Sequence, residues 1–450
     1  MPDTKQSAAE FGKVKPFLAL VVAMLGCTRD RARQRELIVH AKTYVAAHMI
    51  QDGEKSLDVL QGILLLIHWS HLQLELRSQR SIFMHMAMSL IVDLELNRSP
   101  FARRHFVTAT EGTDGFEIRT EYHAEKLADH TIEEKRAFLG CVYLSSVLSN
   151  TSVNLSAVQF NEYAERCCDI LDKSGIDTDR TLASLCRLQH AVEQFRVVTC
   201  WFNMTQRSRG SGYEFIYNIF RQTTSTEEVL HHVRSWDAKI SGQWNAIPES
   251  VKTRLLTIQY GYARVCLYEC CLEESLFRSA DARLEVVHNC ISAIRFLNDA
   301  LVPMSLDPLV LLDVPAHIFA QSNHNTFLAL LLCSIKCGDV CTELVDRELR
   351  LRDYFARTTE RLTKLLESAP DDAVPAFYKR LIPMARGVQK WFAKKLQVAD
   401  EVEGEAGVEG GAPELRAELD VDFLGQFLNM DDDQWLQDIL AMDGPTDSFL

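Results

Sequence analysis

The sequence predicts an all-α protein, a large helical regulatory body followed by an acidic, flexible C-terminal tail. Three observations carry this. Apolar residues recur at three- and four-residue spacing from Lys15 to Leu396, the period of helices with one buried face. No stretch sustains the apolar-polar alternation, bounded by turn signals, of half-buried strands. Glycine (20) and proline (12) are sparse among 450 residues, which disfavours a strand-and-turn architecture.

Taken in order, residues 15–50 read as two helices. Phe17, Leu20, Val21 and Met24 give one apolar face, and Leu37, Ile38, Ala41, Val45 and Met49 the other. Arg29, Arg31, Arg33 and Arg35 lie between them. A helix spreads residues at that spacing over several sides, so they read as a solvated face rather than a phosphate-facing stripe. Residues 56–100 form the pair around which the chain is organised. Leu57, Leu60, Leu64, Ile67 and His71 share a stripe behind the N-cap candidate Ser56, with Ile63, Leu65 and Leu66 off it, so this helix is buried on most sides. Ile82, Met86, Leu90 and Leu94 recur every fourth residue, with Phe83 and Ile91 beside them, and Pro100 stands at the expected stop. Residues 106–120, with Gly112 and Gly115, read as a loop.

Thr131 and Glu134 have capping-box spacing. Behind them Phe138, Leu139, Val142, Tyr143, Ser146 and Val147 face inward. Helical patterns continue over 155–171, 182–204, 227–244, 251–276, 282–301, 327–366 (as two helices) and 375–396, with a second capping box at Ser225 and Glu228. The loop over 303–315 is irregular. No repeat of fixed period appears, which disfavours a solenoid.

Charge divides the chain. Residues 400–450 hold 15 acidic side chains and one basic, Arg416, for 1 − 15 = −14, so the other 399 residues are neutral overall. The break places a body at 1–398, a linker rich in Gly, Glu and Ala at 399–413, and an acidic amphipathic tail at 414–450. The thirteen cysteines are scattered and odd in number, which reads as free, mostly buried thiols in a reducing compartment. The apolar runs 17–25 and 327–333 fall short of the roughly 20 residues that cross a bilayer. The start of the chain lacks a signal-peptide pattern.

Catalytic motifs are missing. There is no glycine-rich phosphate loop, helical His-Glu-x-x-His, serine elbow or paired-cysteine zinc spacing. Cys333, Cys337 and Cys341 are spaced to line one helix face, but cysteine is a common small core residue, and Cys266 and Cys270 read the same way. His68, His71 and His85 read as core and helix-face histidines. Asp431, Asp432 and Asp433 resemble the aspartate motif of helical terpene cyclases, yet they sit in a polar tail rather than inside a bundle. No catalytic residue, cofactor or metal is assigned.

Three segments in order carry a resemblance: SLDVLQGILLLIHW (56–69), DLELNR (93–98) and TIEEKRAFLGCVYLSSVLS (131–149), preceded by KPFLALVVAML (15–25). Together they resemble the fungal-specific transcription factor domain, the middle homology region of fungal zinc-cluster regulators. The resemblance is clear over residues 15–149 and then fades. It implies an all-helical regulatory domain in a nuclear regulator that serves a pathway-specific gene set, secondary metabolism among them. In that family an N-terminal cluster of six cysteines binds DNA, usually followed by a dimerising coiled coil. Here Cys27 is the only cysteine before Cys141, so no zinc ligand or DNA contact transfers to this sequence. DNA is expected to be reached indirectly or through a module outside these residues, and homodimer and heterodimer stay open.

The tail holds two apolar clusters among aspartates: Phe423, Leu424, Phe427 and Leu428, then Trp435, Leu436, Ile439 and Leu440. Such segments suit amphipathic activation domains that fold on coactivator grooves. The expected function is therefore a non-enzymatic, nuclear transcription activator with coactivator partners and no membrane contact. The alternatives are an all-helical enzyme or binder of a hydrophobic small molecule, or a helical interaction scaffold. Lys390, Lys394 and Lys395 make a weak import signal. The basic excess over 347–395, twelve basic against six acidic residues, offers the tail a weak docking face.

Overall fold

The computed structural model describes residues 7–27, 30–72, 79–99, 108–112, 115–119, 129–151, 158–199, 226–272, 274–277, 279–301, 308–335, 337–368 and 374–405. Among them run fifteen α-helices and one two-stranded hairpin.

Helix α1 (Ala8–Val14) opens on a capping box. Ser7 Oγ accepts from the Glu10 N–H, and the Glu10 carboxylate accepts from the Ser7 N–H. Proline takes the first position of α2 (Pro16–Gly26), where no N–H is missed. The next two amides are capped from another helix. Asp58, in the first turn of α4 (Leu57–His68), accepts from the Phe17 N–H at 2.9 Å and the Leu18 N–H at 2.8 Å. A carboxylate on two orphan amides at the positive end of a helix is a charge-assisted contact, and it locks α2 onto α4. The α2 face of Phe17, Val21 and Met24 is buried as its spacing predicts. Helix α3 (Arg31–Tyr44) starts at its Asp30 cap and runs into a π-helical turn, Val45–Gln51. Arg31 corrects the expectation of a solvated arginine face. It is 3% exposed, and its guanidinium donates to the Leu72 carbonyl at 2.7 Å and to Gln34 at 2.5 Å.

Ser56 caps α4 as expected, accepting from the Val59 N–H. Leu60, Ile63, Leu64, Leu66 and Ile67 are all buried, so α4 is enclosed on most sides. Helix α5 (Arg80–Asp93) buries Phe83, Met84, Ala87, Leu90 and Ile91, while Ile82 is 52% exposed. An every-fourth-residue stripe drifts by about 40° per step around a helix. The helix docks on the Phe83 side, which swings Ile82 out.

Gly62 marks the tightest approach of α2 to α4. A Cβ there would stand 2.4 and 2.5 Å from ring carbons of Phe17. Phe17 is fully buried and stacks on Tyr44 at 4.8 Å, so its ring has little room to yield. Alanine would gain about 1 kcal/mol of helix propensity against about 1–3 kcal/mol of overpacking. Gly62→Ala is therefore expected to lower the urea midpoint with an unchanged slope. A raised midpoint would show that Phe17 relaxes freely.

The region read as a loop holds a hairpin, β1 (Thr108–Gly112) and β2 (Gly115–Arg119), antiparallel with Gly112 opposite Gly115. Its two five-residue strands are too short to show as sustained alternation. Helix α6 (Ile132–Thr151) begins at the predicted capping box. The Glu134 carboxylate accepts from the Thr131 N–H at 2.7 Å, and Thr131 Oγ1 accepts from the Glu134 N–H at 3.2 Å. Its predicted inward residues are buried. Helix α7 (Glu162–Asp172) starts later than its apolar pattern suggests, because Asn161 caps it at 2.9 Å. It is clamped to α8 (Asp177–Thr199) by Arg187, which pairs with Glu165, Asp169 and Asp172.

The second half continues with α9 (Thr226–Ala246), α10 (Arg254–Tyr268), α11 (Ala280–Leu301), α12 (Ala316–Leu332), α13 (Thr342–Leu349), α14 (Leu351–Ser368) and α15 (Ala376–Glu405). Ser225, half of the second expected capping box, lies outside the described residues. Residues 327–366 hold parts of three helices rather than two, which separates the cysteines. Cys333 ends α12, Cys337 pairs with Val340 in an isolated bridge, and Cys341 caps α13, its sulfur accepting from the Leu344 N–H. They share no helix face. Helix α15 runs to Glu405, so the first seven residues of the expected linker are helical. The tail, 414–450, lies outside the described residues.

One contiguous apolar core runs through the body. Helices α8 and α10 pack at its centre, α11 covers α10, and α6 joins this group to α4. The two ends of the body meet where His71, just past α4, touches Phe377 and Tyr378 of α15. The described cysteines are all free, and all but Cys27 and Cys341 are buried.

Candidate functional site

Helix α12 is the element on which the polar and cavity-lining residues converge. Spacing of four along it gives two different sides. His317, Gln321 and Asn325 are buried in the core. Ile318, Phe319, Ser322, Thr326 and Leu330 line a cavity.

The core side belongs to a network across four helices. The Tyr143 hydroxyl on α6 donates to Gln259 Oε1 on α10 at 3.0 Å. Gln321 Nε2 donates to the same oxygen at 3.0 Å. Gln259 Nε2 donates to Gln189 Oε1 on α8 at 2.8 Å, and Gln189 Nε2 donates to Ser146 Oγ at 2.9 Å. Since Tyr143 spends its proton on Gln259, His317 Nε2, 3.3 Å from that hydroxyl, is the donor. The same logic holds for His71. Tyr378 donates to the Leu311 carbonyl at 2.6 Å, so His71 Nε2, at 3.3 Å, must donate to Tyr378. Both rings are thus neutral Nε2–H tautomers. Gln259, Gln189 and Gln321 carry no signal in apolar periodicity, and His317 was not legible either. The network ties four helices together, while Gln321 Oε1 and His317 Nδ1 stay buried without a hydrogen-bond partner.

Burial pushes the His71 pKa down to about 3, helped by His68 and Arg31. Burial with His68 pushes His317 well below its ordinary value, and burial pushes His68, which is part-exposed, to about 4. His85 stays apart, its Nδ1 2.7 Å from the Ser81 carbonyl in its own helix. His324 goes the other way. Burial alone would lower it, but Glu269 and Cys266 raise it to about 10. Its Nε2 lies 3.3 Å from Glu269, and its Nδ1 lies 3.2 Å from the Tyr262 hydroxyl.

Both signs predict a stability maximum. Below pH 6.5 the unfolded chain protonates His71 and His317 while the folded chain resists, so stability falls from about 6.5 downward. By pH 5 the His71 shift costs about 2 kcal/mol, as linkage gives, and His317 acts in the same direction. The His324–Glu269 pair is at full strength below pH 6.5 and weakens as pH rises toward the folded pKa of His324. Urea midpoints are therefore expected to peak near pH 6.5 and fall on both sides. His317→Gln and His71→Gln should each flatten the acid limb.

Cys266, Glu269 and His324 bring their ligand atoms within 4.8 Å of one another. That is one donor short of a structural zinc site, and both imidazole nitrogens are already engaged. The cluster holds an ion pair, and none of the three lines the cavity.

The cavity lies between α12, α14 and α15, bordered by the turn Pro308–Asp313 and the end of α11, and opens to solvent on one side. Its volume is about 160 Å³. Its walls are mostly apolar, with Phe327, Phe355, Leu362 and Met384 among them, and its polar groups are Ser322, Asn323, Thr326, Tyr354, Thr358 and Arg361. Sequence reading found none of this, because the residues come from helices far apart in the chain.

The residues expected to bind a partner, Phe423, Leu424, Phe427, Leu428, Trp435, Leu436, Ile439 and Leu440, lie outside the described residues, as does the aspartate run at 431–433. No helix among the described residues is long and apolar enough to cross a membrane.

Comparison with known proteins gives the geometry a context. Residues 2–160 match the family model of the fungal specific transcription factor domain. Transcription factor himD of Aspergillus japonicus is 31% identical over 205 residues, 44% of this chain and 32% of that protein. Transcription factor opdL of Penicillium oxalicum is 23% identical over 315 residues, 69% of this chain and 52% of that protein. Transcription factor pbcR of Emericella nidulans is 26% identical over 272 residues, 56% and 34% of the two chains. The chain thus spans a third to a half of the length of the curated relatives it matches. No solved structure matches.

Proposed function

We propose that this chain is the helical regulatory body and acidic activation tail of a fungal transcription regulator, without enzymatic activity of its own. The observation that carries the reading is the domain match over residues 2–160, supported by relatives that are all named as transcription factors. The body is a scaffold, in which Tyr143, Gln189, Gln259 and Gln321 join four helices through buried hydrogen bonds. The tail, with ten acidic residues around two apolar clusters, is the segment that meets coactivators. The regulator works in the nucleus on a pathway-specific gene set, secondary metabolism among the fitting cases. It reaches DNA indirectly or through a zinc-cluster module outside these residues, as a homodimer or a heterodimer.

The test tethers residues 1–450 to an unrelated DNA-binding module ahead of a reporter in a fungal host. Reporter output above that of the module alone supports the reading. Output at or below the module's own, with the fusion present in the nucleus, contradicts an activator.

A further inference from the structure

The cavity between α12, α14 and α15 has a feature that packing alone does not explain. Arg361 lines it, half-buried. The neighbouring charges of α14 are matched within the helix: Arg357 with Asp353 at 3.4 Å, and Lys364 with Glu360 at 2.6 Å. Among the described residues no carboxylate pairs with Arg361. Burial and the adjacent Arg357 disfavour its charge and lower its pKa. The neighbouring carboxylate of Glu360 favours its charge but is paired with Lys364. A guanidinium partly out of water without a carboxylate of its own is costly, and a bound anion would relieve that cost. Close by, Ser322 Oγ and the Tyr354 hydroxyl lie 3.4 Å apart in the same lining, a second polar point beside an apolar chamber.

Size narrows the occupant. A cavity of about 160 Å³ is on the scale of the engineered apolar cavity, about 150 Å³, that takes up benzene. That volume holds one ring or a short acyl chain. We propose that the cavity binds a small apolar monocarboxylate, its hydrocarbon part between Phe327, Phe355 and Met384 and its carboxylate on Arg361. The ligand would join α12 and α14 to α15, the helix that leads out to the tail. This deepens the regulatory reading by giving it an effector. Binding is measured on purified protein, so failure here and failure of the reporter test are separate results.

The experiment titrates the full chain with octanoate and with octanamide, its uncharged counterpart, by calorimetry and thermal shift. Octanoate is expected to bind at sub-millimolar concentration and to raise Tm. A hydrogen bond to a charged group corresponds to roughly a tenfold to hundredfold change in affinity. Octanamide should therefore bind at least about tenfold more weakly, and Arg361→Gln should weaken octanoate by a similar factor while leaving octanamide unchanged. Arg361→Lys, which keeps the charge, should recover part of the loss. Equal affinity of octanoate for the wild type and Arg361→Gln would overturn the proposal. So would absence of binding at millimolar octanoate. Binding that appears only after residues 406–450 are removed would assign the cavity to the tail, and would overturn it as well.

Discussion

Leu64→Ala and Leu90→Ala are each expected to lower the unfolding free energy by roughly 2–5 kcal/mol, the range for emptying a packed leucine site. Leu64 is 8% exposed and Leu90 1%. Leu64 points from α4 at α6, where its Cδ1 would lie 3.7 Å from a Cβ placed on Gly140. That is ordinary contact distance for an added methyl, so the Leu64 side chain reaches across to the α6 backbone. Leu90 sits among Phe83, Ala87 and Ile91 on the buried side of α5. The cavity left by either truncation persists, and its cost adds to the lost transfer energy. Ile82→Ala on the same helix is the control. Ile82 is exposed, and its truncation should fall within about 0.5 kcal/mol. Urea midpoints at constant slope read all three. Shifts at Leu64 and Leu90 as small as that at Ile82 would mean that α4 and α5 do not organise the core.

Legibility in the sequence followed the range of the interactions. Leu60, Leu64, Phe138 and Val142 were placed by period alone, because helical spacing reports a single buried face. Ser56 and the Thr131–Glu134 box were legible for a similar reason: a cap acts within three residues of itself. What depends on a distant partner was hidden. Asp58 looks like an ordinary first-turn acid, yet it caps a helix 40 residues earlier. Arg31 looks solvated until Leu72 offers it a carbonyl. The cysteine spacing at 333, 337 and 341 misled because a bridge interrupts the helix that the spacing assumes. The cavity and its Arg361 are assembled from helices brought together only by the fold. The tail clusters were legible as composition, and their apolar spacing is the whole basis for reading them as a partner surface.

The second large effect concerns that tail. Trp435→Ala combined with Leu436→Ala is expected to abolish activation and leave the body's melting temperature unchanged. Each apolar cluster is shorter than the about 12–15 residues that an isolated helix needs in water. On the proposed activation reading, each would fold only against a partner groove, with its aspartates keeping the apolar side chains soluble. Trp435, Leu436, Ile439 and Leu440 would bury about 6–12 kcal/mol gross, at roughly 1.5–3 kcal/mol per side chain. Ordering costs about 2–5 kcal/mol of that, and association takes more. The remainder corresponds to contacts of micromolar strength at best. Removing two of the four anchors takes about 3–6 kcal/mol from the gross term, which leaves nothing to hold the complex.

The most direct measurement is the reporter output of residues 414–450 fused to an unrelated DNA-binding module, wild type beside the double substitution. The predicted result is activation by the wild-type fusion and none by the substituted one, with the full-length double variant melting where the parent does. A silent wild-type fusion, or a double variant of the full chain that melts lower, would make the tail a structural element and contradict its role in activation.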